Sequence, residues 1–102
     1  MIEPTGALDL IVNEDIRPRA QTLQAIVRSI IGEKSSPEEV WHCAVSIVSQ
    51  CLFYHHARPV IVRLNPRLRF DADYIERLAN HITRFCLGAM RNWHTAGKKG
   101  GA

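Results

Sequence analysis

Three side chains in this 102-residue sequence combine metal-binding or nucleophilic chemistry with usable spacing: Cys51, His55 and His81. Cys51 and His55 stand four residues apart, one helical turn. A thiolate and an imidazole so placed can face one ion, or act as nucleophile and base. His81 can add a third ligand from a later segment. The surrounding pattern argues against both uses. His55 and His56 are adjacent, so on a helix they diverge by about 100° and cannot share an ion. No HExxH or paired-cysteine motif supports a metal. The Cys51–His55 pair lacks an orienting acid and a glycine-rich oxyanion loop, and its apolar setting blunts thiol reactivity. GxGxxG, P-loop and GxSxG motifs are missing too. The expectation is no catalytic residue, no metal and no cofactor. The rival is a small metal-binding or thiol protein built on Cys51, His55 and His81.

These residues sit in SIVSQCLFYHHARP, residues 46–59, inside a run with no Asp, Glu, Lys or Arg between Glu39 and Arg58. A helix packed on one side of a monomer puts charges on its outer face. This one has none. Three histidines, two serines and a glutamine make a membrane span a poor reading of the run. The 46% hydrophobic and 23% charged content is that of a globular chain rather than a disordered one. A net charge of +3 is too small to imply nucleic acid, and its densest group, Arg58, Arg63, Arg67 and Arg69, reads as a solvated connector. The odd cysteine count, Cys43, Cys51 and Cys86, points to buried, reduced thiols. With no secretion signal at the start, the expected location is cytoplasmic.

The elements that must position these residues read as helices with short breaks. Ala7 to Ile16 carries Leu8, Ile11 and Val12 on one face, and Pro18 begins a new segment. Leu23, Ile26, Val27, Ile30 and Ile31 follow helical spacing until Gly32 ends the run. Ser36-Pro37-Glu38-Glu39 offers a cap, a first-turn proline and a capping-box glutamate. The charge-free helix stops near Arg58 because of Pro59. Val60–Leu64 makes at most a short turn. Asp71 or Asp73 caps a last helix running to about Trp93. GKKGGA, residues 97–102, reads as a disordered tail, leaving 1–96 as the domain.

On a helical wheel the apolar side chains of the charge-free helix, Ile47, Val40 and Cys51 among them, span roughly 160°, and Ser46, Ser49, Gln50 and Phe53 fall opposite. The last helix shows a similar arc. Two such helices hold more apolar surface than the preceding two can cover. The economical solution is an antiparallel helical bundle whose last two long helices pair with a second copy into a four-helix interface, eased by small residues.

SPEEVWHCAVSIVSQCLFYHHARPVIVRLNP, residues 36–66, followed by DADYIERLANHITRFCLGAM, resembles the carboxy-terminal domain of TetR-family transcriptional regulators, and its CecR-like branch above all. QCLFYHHARPVI and HITRF are the most distinctive parts, and IEPTGALDLIVNEDIRPR extends the likeness upstream. The resemblance implies an all-α domain that senses a small-molecule effector, dimerises and serves a repressor. On this reading the homodimer seam takes Ser46, Ser49, Gln50 and Phe53 from one helix and Leu78, His81, Phe85 and Gly88 from the other. The effector pocket takes Trp41, Val45, Val48, Leu52 and His55, with Leu23 and Val27. These regulators carry an amino-terminal helix-turn-helix domain that the 102 residues do not supply. The chain thus looks like a fragment, and DNA is a partner only through that domain.

Overall fold

The structure is a computed structural model and describes residues 4–94, so the tail from Gly97 lies outside the described residues. Every regular element among them is helical: α1 (Pro4–Ile11), a π turn (Val12–Ile16), α2 (Arg17–Ile31), α3 (Pro37–His56), α4 (Arg58–Leu64) and α5 (Ala72–Arg91). The chain divides into two compact units, residues 1–44 and 45–102, and α3 crosses the division.

In the first unit, Pro18 does not break the helix as the sequence predicts. α1, the π turn and α2 follow one another without a gap, and Ile11, Ile16 and Arg17 all keep right-handed helical dihedrals. A proline inside a helix withholds one donor and presses its ring on the carbonyl four residues back. Here the Arg17 N–H reaches back five residues to the Val12 carbonyl, and this wider turn takes up the mismatch ahead of Pro18. The Arg17 side chain also donates to Asn13 Oδ1 at 3.2 Å. The other punctuation falls where the residues place it. Gly32 ends α2 at φ 104°, a conformation open to glycine, with its N–H on the Arg28 carbonyl. Ser36 and Glu39 form a reciprocal capping box: each backbone N–H donates to the other's side chain, at 3.0 and 3.1 Å. Val27 and Ile31 are the buried residues of α2, while Val40, Cys43 and Ala44 are those of α3, at helical spacing in each case.

In the second unit, α3 ends at His56 and Pro59 opens α4. The proline has no N–H for the His55 carbonyl. Both Val60 and Ile61 turn to the Ala57 carbonyl instead, at 2.9 Å each, and a short new helix begins. Asp71, not Asp73, caps α5, its carboxylate accepting from the Tyr74 N–H at 2.8 Å. Asp73 pairs with Arg77 one turn on. Ile82, Cys86 and Met90 recur every four residues as the buried line of α5.

The two acids one turn apart give a direct check. Asp71→Ala is expected to cost about 1 kcal/mol of unfolding free energy through the lost cap. Asp73→Ala is expected to cost about 0.3–0.5 kcal/mol, because its pair with Arg77 is solvent-exposed. Urea denaturation of both variants reads the difference, and equal losses would contradict the assignment of the cap.

Candidate functional site

The second unit contains a cavity of about 280 Å³. Its wall is built from two rows of side chains with the same helical spacing. Cys51, Tyr54, His55 and Arg58 descend the end of α3 into α4, at steps of three, one and three. Ile75, Leu78, Ala79 and Ile82 repeat those steps on α5. Spacing of this kind puts each set on one face of its helix. The first row brings every polar group, and the second brings only hydrocarbon.

The rows face each other because α3 and α5 run antiparallel. At one end, Gln50 Nε2 donates to Cys86 Sγ at 3.1 Å. At the other, the Arg58 guanidinium lies over the Phe70 ring, 4.7 Å from its centroid, two residues before α5 begins. Phe70 is the ninth lining residue. It meets Tyr74 edge-to-face at 5.2 Å, and Tyr74 in turn carries Arg77 over its ring. This aromatic ladder holds the end of the connector against the start of α5, and its Phe70 ring lines the cavity.

Of the residues assigned to an effector pocket, His55 lines this cavity. Val45, Val48 and Leu52, also in the second unit, are exposed on a neighbouring arc of α3. In the first unit Trp41 is exposed, Leu23 half-buried and Val27 fully buried. Of the residues assigned to a seam, Ser46, Ser49, Phe53, His81, Phe85 and Gly88 are exposed, and Gln50 is half-buried on Cys86. Leu78 lines the cavity. Sequence reasoning missed Tyr54, Arg58, Phe70, Ile75, Ala79 and Ile82. The signal was present in the matched spacing of 51-54-55-58 and 75-78-79-82, but nothing in one helix alone says which arc its neighbour will face.

The three residues of the metal or thiol reading are not gathered. Cys51 and His55 share the cavity wall, but His81 stacks against Phe85 at 6.1 Å. Among the described residues no three His, Cys, Asp or Glu side chains stand close enough to hold one ion. The cysteines also differ from one another. Cys43 and Cys86 are buried, whereas Cys51, expected to be a core thiol, is exposed. Burial raises the pKa of the Cys43 thiol, and the nearby Glu39 carboxylate adds to the effect.

An all-helical fold with a cavity does not by itself name a function, and the class comes from the comparison of sequences. Residues 1–90 match the family of the C-terminal domain of the HTH-type transcriptional dual regulator CecR, and the chain belongs to that family. It is a TetR-family regulator C-terminal domain. No curated protein and no solved structure matches the chain. Among the described residues, no helix is long and apolar enough to cross a membrane.

The thiol environments set an order of reactivity. Iodoacetamide at neutral pH is expected to modify Cys51 first, with Cys43 and Cys86 following only as the fold opens. Peptide mapping by mass spectrometry checks this. Labelling of Cys43 as fast as Cys51 in the folded protein would contradict it.

Proposed function

We propose that this chain is the effector-sensing and dimerisation domain of a TetR-family repressor, with DNA contacted by a separate helix-turn-helix domain. The observation that carries the dimerisation reading is an exposed face on the second unit. Phe53 is 58% and Phe85 63% exposed, and each lies within one turn of the Gln50–Cys86 contact that ties α3 to α5. Ser46, Ser49 and Gly88 are small and also exposed. Large aromatic side chains beside small residues suit a two-fold contact, where one copy's ring enters the other's gap. α3 adds no charge anywhere between Glu39 and its end at His56, so a partner would meet no ionised group to desolvate there.

The effector-sensing reading is supported by the cavity, whose apolar walls and few polar groups are the usual make-up of small-molecule sites. A cavity anchored on both α3 and α5 also offers a physical route from ligand to seam. A ligand that favours one packing of the two helices over another shifts the pairing surface they share.

Dimerisation is tested by size exclusion with light scattering. The chain, 11.5 kDa as a monomer, is expected to elute at twice that mass at micromolar concentration. Ser49 is exposed, so Ser49→Arg leaves the monomer's stability nearly unchanged. In a two-fold seam it brings two like charges together at a cost on the order of several kcal/mol, and the variant is expected to be monomeric. A monomeric parent chain, or a Ser49→Arg variant that stays dimeric, would count against this seam.

A further inference from the structure

We infer that the cavity between α3 and α5 selects a small amphipathic anion: a planar or short apolar body carrying one carboxylate, with Arg58 as its anchor. The inference rests on the effector-sensing reading and narrows it to a chemical class.

Charge decides the sign of the ligand. The lining residues include a guanidinium, an imidazole, a phenol and a thiol, but no carboxylate. Arg58 is charged at any ordinary pH and forms no ion pair among the described residues. The nearest acids along the chain are already used: Asp71 caps Tyr74 and Asp73 pairs with Arg77. The interaction that holds the guanidinium is the face of Phe70. The contact places the guanidinium carbon over the ring, and the fork of N–H donors that a guanidinium carries suits a carboxylate with two parallel bonds. A cationic ligand would meet Arg58 as a like charge. Arg58 is exposed and solvated, so a neutral ligand would gain nothing from its charge.

Size and wall chemistry decide the rest. About 280 Å³ lies just under the roughly 300–1,000 Å³ of drug-sized sites, so the occupant is small. Ile75, Leu78 and Ile82 present a hydrocarbon surface from α5, while the polar groups sit on the opposite wall. The ligand must therefore be two-faced, apolar against α5 and acidic toward Arg58. A nucleotide or a sugar phosphate, polar over most of its surface, does not suit the hydrocarbon wall.

The test uses three probes of nearly equal shape and different charge: benzoate, benzamide and benzylamine. Binding to the full chain is followed through isoleucine methyl resonances, with Ile75 and Ile82 reporting the cavity and Ile26, in the first unit, as the control. Benzoate is expected to shift Ile75 and Ile82 saturably and to bind at least about tenfold tighter than benzamide, the gain of a charge-assisted pair. Benzylamine is expected to bind more weakly than either. Arg58→Met keeps a stem over Phe70 but should reduce benzoate to the level of benzamide, while Arg58→Lys should restore part of the preference. Equal binding of benzoate and benzamide overturns anion selection yet leaves a ligand-filled cavity, so effector sensing would survive. A benzoate preference unchanged by Arg58→Met overturns the anchor. No saturable shift from any of the three overturns the proposal together with the cavity as an effector site, and leaves dimerisation to its own test.

Discussion

A proline that cannot donate a hydrogen bond governs the second unit. Pro59 leaves the His55 carbonyl without its expected partner, so α3 cannot continue past His56. The backbone turns at Ala57, and the hydrogen-bond ladder restarts from the Ala57 carbonyl. Much follows from that interruption. Arg58 comes to the end of the cavity, in step with Cys51, Tyr54 and His55. The seven residues of α4 and the connector after it bring Phe70 beneath the Arg58 guanidinium. α5 then starts from Asp71 in the opposite direction to α3. Had α3 run on, Arg58 would project from a longer rod with no Phe70 to rest on.

The pairing of a polar row with a hydrocarbon row gives the cavity its character. Neither row is buried throughout: Cys51, His55, Arg58, Ile75 and Ala79 are exposed, and Ile82 is buried. The α5 row is aliphatic, and the α3 row carries a thiol, a phenol, an imidazole and a guanidinium. No buried side-chain nitrogen or oxygen among the described residues is left without a hydrogen-bond partner. Three of the cavity's four polar residues, Cys51, His55 and Arg58, are exposed and so open to a ligand as well as to water. The Arg58–Phe70 stack illustrates this. It is a weak interaction at a partly exposed site, of the order of 0.5–1 kcal/mol.

The same helices serve two surfaces. The cavity uses one arc of α3 and α5, whereas Phe53 and Phe85 stand on another. The Gln50–Cys86 contact lies between them and joins the helices directly. A rotation or slide of one helix against the other would alter both surfaces at once. In the first unit, by contrast, the Ser36–Glu39 capping box and Gly32 define the corner between α2 and α3, with Ser35 Oγ donating to the Ile31 carbonyl at 3.1 Å.

Local chemistry was legible in the residues alone. The capping box at Ser36, the stop at Gly32, the end of α3 before Pro59 and the all-helical class each depend on interactions within a few positions of the chain. Those are the interactions that composition and spacing describe. The family was legible as well, from the QCLFYHHARPVI and HITRF segments. Pro18 was misread because a proline can be absorbed by a π turn as well as by a break, and the choice depends on hydrogen bonds reaching five residues back. Cys51 was misread as core, and the cavity's α5 row and Arg58 were missed, for a different reason. α3 is apolar around so much of its circumference that its sequence does not say which arc meets α5. Only the antiparallel packing of the two helices, pinned by Gln50 on Cys86 and Arg58 on Phe70, decides that residues 51, 54, 55 and 58 turn toward α5 while Val45, Val48 and Leu52 do not.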